Sequence, residues 1–246
     1  MTAPTIVVHP TSQVLVHSVA HRLINTLADA QARRDEASLV LTGGRIAARM
    51  YEAVAQSPSR DSVNWSRVHF WWGDERFVPT GDEDRNEIAA RETLLNSLPV
   101  DPMRVHPIPG LGAFTQPEDA AAHYAFELRR VGDGSWPTFD VVLLGVGEDA
   151  HVASLFPGHE EATTAEPAVV GVHESPKPPK QRVSLSRGLI NTAREVWLIA
   201  SGPGKAEAVA LAHSGAPVEE APASGVHGTA ATRWLLDAPA ASRLTA

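Results

Sequence analysis

The sequence predicts an α/β fold, a doubly wound and mainly parallel sheet with helices on both faces. Three observations carry this. Short runs that are almost wholly apolar or β-branched recur along the chain, as strands buried on both faces require. Most are followed by a stretch with apolar residues at helical spacing, the alternation that right-handed crossovers produce. The 246 residues contain no internal repeat and suffice for one substantial core, so residues 1–246 are expected to form a single domain.

In chain order, the strand-like runs are TIVVH, SLVLTG, RVHFWWG, FDVVLLG, AVVGVH, RVSLS and EVWLIAS. Between them, SQVLVHSVAHRLINTLADAQARR, RIAARMYEAVAQ, DRNEIAARETLLNSL, PEDAAAHYAFELRR and GKAEAVALAH show helical periodicity, and a last helical run is read near Leu236. The Pro/Gly clusters ESPKPPKQ and SGAPVEEAPASG read as surface loops. The Trp71-Trp72 pair is expected to pack in the core rather than to stack on bases.

Composition narrows the chemistry. A net charge of −8 argues against a broad nucleic-acid surface, so cations are expected to be local and aimed at small anions. With no cysteine, thiol nucleophiles and disulfides are excluded. No signal peptide is recognisable and no apolar stretch approaches the ~18 residues of a membrane span, so a soluble, cytoplasmic protein without membrane partners is expected.

In doubly wound sheets ligands bind beyond the carboxyl ends of the strands, so each strand end is informative. SLVLTG delivers Thr42, Gly43, Gly44 and Arg45 at a helix start, where glycines and free N–H groups favour an anion, or simply make a tight turn. RVHFWWG delivers Asp74, Glu75 and Arg76, where Arg76 is a candidate clamp for phosphate or carboxylate and a solvated charged loop is the alternative. Arg182 opens RVSLS, and Lys205 sits in SGPGK, which lacks the spacing of a triphosphate-binding loop.

FDVVLLG delivers GVGEDAHVASLFPGH, Gly145 to His159. GVGEDA matches a dinucleotide fingerprint, with Glu174 about where a ribose-binding acid would lie. Against that reading, Glu148 and Asp149 put negative charge beside a pyrophosphate, and Pro157-Gly158 leaves no room for a full crossover helix. The other reading makes His151 a general base at a helix N-terminus, its neutral form favoured by the dipole, with Asp149 beside it. His159 reads as a structural or rim residue. No G-x-S-x-G elbow supports Ser154 as a nucleophile, and His69, His151, His159, Asp74 and Glu75 lack the spacing of a metal site.

Together these stretches resemble the 6-phosphogluconolactonase family, whose Rossmann-like fold is shared with sugar-phosphate isomerases and glucosamine-6-phosphate deaminases. The resemblance runs through LVLTGGR, WWGDERFVPTGDEDRNEIAARETLL, FDVVLLGVGEDAHVASLFPGH, KPPKQRVSLS and WLIASGPGKAEAV. Ala150 and Val152 depart from the D-G-H-T-A-S-L-F-P pattern, and Arg45 replaces a small hydroxyl residue.

The resemblance implies hydrolysis of 6-phospho-D-glucono-1,5-lactone, with His151 and Asp149 catalytic and Gly43, Gly44, Arg45, Asp74, Arg76, Arg182 and Lys205 binding the substrate. No metal or cofactor is implied, and a monomer or weak homodimer is expected. The rivals are a deaminase or isomerase on the same fold, which would use Asp74 or Glu75 as an extra base, and a non-catalytic sugar-phosphate sensor. The sensor is disfavoured by the lack of room for a DNA-binding segment before Thr5 or after Leu236.

Overall fold

The structure is a computed structural model that describes residues 3–244. The chain opens with strand β1 (Thr5–His9) and helix α1 (Ser12–Arg34), where the Thr11 side chain accepts a hydrogen bond from the N–H of Val14 at 3.2 Å and caps the helix. Next come β2 (Ala37–Leu41), α2 (Arg45–Gln56), β3 (Val68–Trp72) and the short β4 (Asp74–Arg76). Helices α3 (Asn86–Thr93) and α4 (Pro117–Val131) precede β5 (Val141–Gly145). The remainder comprises α5 (Glu160–Thr163), β6 (Val169–Val172), β7 (Arg182–Leu185), α6 (Arg187–Ile190), β8 (Glu195–Ala200), α7 (Ala206–His213) and β9 (Ala231–Asp237).

Six strands form one parallel sheet in the order β1-β9-β8-β5-β2-β3. The chain builds outward from β2 to β3, then returns to β5 and builds the other way through β8 to β9. The reversal falls between β2 and β5, the switch point where such sheets hold ligands. Side chains alternate across the sheet, so Trp71 meets Tyr124 of α4 while neighbouring Phe70 stacks on Trp65. All four aromatic rings are at most 2% exposed, as a sheet covered on both faces requires.

The structure corrects several expectations. AVVGVH and RVSLS do form strands, but β6 and β7 join β4 in a separate antiparallel sheet, order β4-β7-β6, lying against α4. Asp74–Arg76, read as a loop, is therefore a strand; the chain turns out of the main sheet at Gly73, whose carbonyl accepts the N–H of Leu185 at 2.8 Å. The segment near Leu236 is β9, not helix, because ATRWLLD runs between β1 and β8 and buries its apolar residues there. DRNEIAARETLLNSL is helical only as α3 followed by a 3-10 turn at Leu95–Ser97.

ESPKPPKQ is the mostly exposed loop expected, and SGAPVEEAPASG is exposed only in its first half. Lys177 and Pro178 reach the cavity described below. In the second cluster, Ala221, Pro222 and Ala223 are buried, and the N–H of Ala223 binds the carbonyl of Ala150 at 3.0 Å.

Candidate active site

The loops after β2, β3, β5 and β8 converge at the carboxyl edge of the sheet around a cavity of about 590 Å³. Gly43, Gly44, Arg45, Asp74, Arg76, His151, Arg182 and Lys205 all line it, so eight of the nine residues singled out from the sequence meet at one place. The ninth, Asp149, stands behind His151 and binds it.

The loop Gly145–His159 is not a helix start. After β5 it forms a bridge between Val146 and Val152 and a second between Val152 and Leu155, and the next helix is the short α5. Ala150 and Ala153 adopt left-handed backbone at φ 64° and 49°, which interrupts any helix, and Pro157 follows. A helix dipole therefore does not act on His151. What fixes the histidine is local: the N–H of Gly147 donates to the His151 carbonyl at 2.8 Å, and the Asp149 carboxylate accepts from Nδ1 of the imidazole. Gly147 is required by close approach, since a Cβ there would lie 2.0 Å from His151 Nδ1 and 2.4 Å from Asp149 Oδ1. The ring packs against Phe156, centroids 4.8 Å apart.

With Nδ1–H committed to Asp149, Nε2 carries the basic lone pair. Burial acts to raise the pKa of Asp149, but its hydrogen bonds and charge interaction with His151 prevail and hold it at about 2. The pair thus places an ionised carboxylate where an imidazolium would form.

The rest of the cavity wall is cationic. Arg45, Arg49, Arg76, Lys177, Arg182 and Lys205 line the cavity, against Asp74 as its one carboxylate among the described residues. In a chain of net charge −8 this is a strong local reversal, suited to an anion. Arg76 and Arg182 stand directly opposite each other across β4 and β7, an arrangement of like charges that an anion between them would offset. Burial lowers the pKa of both Arg182 and Lys205. The Arg182 guanidinium is aimed by the carbonyls of Pro179, at 2.8 Å from Nε, and of Lys177, at 3.1 Å from Nη2.

Behind this wall lies a buried scaffold. Asn86 accepts from Arg76 Nη1 at 2.6 Å through Oδ1 and donates through Nδ2 to the Asp74 carbonyl at 2.9 Å. It fills the space beside Gly43, where a Cβ would fall 1.9 Å from Oδ1. Ser154 is buried and donates its hydroxyl to Asp74 Oδ2 at 2.7 Å. Glu75 is 1% exposed, does not line the cavity and accepts only from groups of the protein, so it is not placed to serve as a base on a sugar. His159 precedes α5 outside the cavity lining.

Sequence reading missed Arg49, Asn86 and Lys177. Arg49 follows Arg45 by four positions on α2, a spacing that places both on one helix face and was available as a signal. Asn86 sat inside a helical run and Lys177 inside a proline cluster, and neither carried a mark of its own.

The family model described as glucosamine-6-phosphate isomerases/6-phosphogluconolactonase matches residues 10–234. The chain belongs to this family. Within the family it is 51% identical, over 250 residues, to the 6-phosphogluconolactonase of Streptomyces coelicolor, across 98% of this chain and 95% of that one. It superposes on the 6-phosphogluconolactonase of Leishmania guyanensis with a TM-score of 0.83 at 28% identity, covering 100% of both chains. A monomeric glucosamine-6-phosphate deaminase also matches, with a TM-score of 0.81 at 21% identity over 98% of this chain and 100% of that one. The doubly wound fold is thus common to both chemistries, and the choice between them rests on the site.

Proposed function

We propose that this chain hydrolyses 6-phospho-D-glucono-1,5-lactone to 6-phosphogluconate, the second step of the oxidative pentose phosphate route, acting in the cytoplasm as a monomer or weak homodimer. The observation that carries the reading is the His151–Asp149 pair facing a cation-lined cavity. The named relative at 51% identity supports it.

His151 Nε2 takes a proton from water as the water oxygen bonds to the lactone carbonyl carbon. The imidazolium that results is stabilised by Asp149, whose pKa near 2 keeps it ionised throughout. The carbonyl oxygen becomes an oxyanion. Backbone N–H groups of Gly43 and Gly44, neither of which donates within the described chain, are available to receive it. Collapse of the tetrahedral intermediate breaks the bond to the ring oxygen, which takes the proton back from His151. That cleavage opens the ring, and the product acid then ionises to the carboxylate. A δ-lactone is an activated ester, so base catalysis worth ~10²–10⁴-fold suffices without a covalent intermediate. Arg76, Arg182 and Lys205 hold the 6-phosphate and the developing carboxylate, with Arg45 and Asp74 completing the substrate wall.

Deamination of an amino sugar phosphate would need a further carboxylate at the sugar. Glu75 is turned inward and one oxygen of Asp74 is occupied by Ser154, which supports hydrolysis instead. The test is the rate with freshly generated phosphogluconolactone, corrected for spontaneous opening. No acceleration over the blank sinks the proposal. Ammonia release from glucosamine 6-phosphate in its place would transfer the site to the rival chemistry.

A further inference from the structure

The DER strand contains a residue that the proposed reaction does not use. Glu75, flanked by Asp74 and Arg76, points into the protein and is 1% exposed. Its Oε1 accepts the backbone N–H of Arg76 at 2.8 Å and of Asn86 at 2.7 Å. Its Oε2 accepts the N–H of Glu87 at 2.9 Å, with the Arg85 guanidinium 3.8 Å away. The N-terminus of α3 has no cap of its own, since Arg85 at that position makes no side-chain capping bond. Glu75 takes that role from a different strand, and its charge faces the positive end of the helix.

The consequence for the cavity lies in which groups are tied together. By holding the N–H of Arg76 and the N–H of Asn86 on one oxygen, Glu75 fixes β4 against the first turn of α3. At that separation Asn86 Oδ1 meets Arg76 Nη1, and Asn86 Nδ2 meets the Asp74 carbonyl. The same Asn86 amide abuts Gly43, so the loop after β2 is set by the same contact. One buried carboxylate thus registers three segments of the cavity wall: the Arg76 guanidinium, the Asp74 backbone and the Gly43 turn.

We infer that Glu75 is a positioning residue for anion binding, acting through Asn86 to aim Arg76. The inference rests on the reading of the cavity as a sugar-phosphate site. In its ionised form the carboxylate accepts from all of these partners, every one of which is a donor. A glutamine would turn an N–H₂ toward one of the N–H groups and leave a buried donor unsatisfied.

The test measures Glu75→Gln and Arg76→Ala, singly and together. The readouts are the Kd for inorganic phosphate and for 6-phosphogluconate by titration calorimetry, the steady-state constants on the lactone, and the melting temperature. Glu75→Gln is expected to weaken both anions and raise KM by about tenfold while kcat stays within about threefold, as loss of binding shared by ground and transition states requires. In the Arg76→Ala background the same change should cost nothing further, because its route runs through that guanidinium.

A folded Glu75→Gln protein with unaltered anion affinity, or an equal added loss in the double variant, overturns the inference. If Glu75→Gln does not fold, Asn86→Ala replaces it, with the same expected tenfold weakening and the same lack of additivity; unchanged affinity there overturns the inference equally. Calorimetry needs no turnover, so a wild-type protein that fails to hydrolyse the lactone refutes the proposed reaction while leaving this result readable.

Discussion

Asp149 and Glu75 are two carboxylates behind the wall of the same cavity, held in opposite ways. Asp149 is 39% exposed and takes its partner from two positions along its own loop. Glu75 is 1% exposed and takes its partners from the next residue and from a helix start eleven and twelve positions on. Asp149 faces a side chain that can become a cation and is held at about 2. Glu75 faces mainly backbone donors, which together with Arg85 do not offset its burial, and it is pushed up to about 7. The difference separates two tasks. The carboxylate proposed to meet a newly formed charge is kept ionised near water, whereas the one proposed to tie chain segments together bears full burial.

The comparison can be broken first at the catalytic side. His151→Ala is expected to lower kcat by about 10²–10⁴-fold with the circular dichroism spectrum unchanged, since the residue is proposed to act in proton transfer. Retention of more than about a tenth of kcat, a loss below ~1.4 kcal/mol in barrier, refutes that role. Asp149→Asn comes next, at about 10²-fold in kcat. An amide can still hold the ring but can no longer balance its charge, and it permits the wrong tautomer. An effect on KM alone would show that the aspartate serves binding instead.

On the Glu75 side the effects are smaller. Arg76→Ala, which removes the side chain whose backbone Glu75 holds, should raise KM by roughly tenfold or more with little change in kcat. Lower kcat at unchanged KM would move Arg76 to the oxyanion.

The pH dependence of stability sharpens the contrast, because the two groups have opposite signs. Asp149 is depressed, so its contribution is present above about pH 4 and is lost as pH falls toward about 2. Glu75 is raised from 4.5 to about 7, so its contribution is complete below about 4.5 and is lost as pH rises through about 7. The Glu75 effect is on the order of 3 kcal/mol at its limit. Chemical denaturation from pH 4 to 8 should show a slope that Glu75→Gln flattens and Asp149→Asn leaves in place. A slope surviving in Glu75→Gln would assign it to other groups.

Much of this was legible in the chain because the informative signals were local. Apolar runs and helical periodicity identified β1, β2, β3, β5 and β8, and the residues just past β2, β3, β5 and β8 are those that meet at the cavity. What was not legible depends on tertiary partners. ATRWLLD alternates too weakly to declare itself a strand, and it becomes β9 only between two neighbours. The second sheet was hidden because β4 is three residues long and charged, and it pairs with a strand more than a hundred positions away. The helix expected after His151 failed through backbone conformation, since an alanine in left-handed geometry at position 150 has no signature in composition. Asn86 could not be singled out because its role is defined by Arg76, Asp74 and Gly43 together.

The facing arginines of β4 and β7 have a consequence beyond recognition. Their mutual repulsion is a standing cost of the fold, and a dianion seated between them would relieve it. Binding and folding then draw on the same free energy. A ligand present at a hundred times its Kd stabilises the native state by about 2.7 kcal/mol. The durability of this protein would then rise and fall with the supply of its own sugar phosphate, making the cavity a gauge of metabolite level as well as a place of reaction.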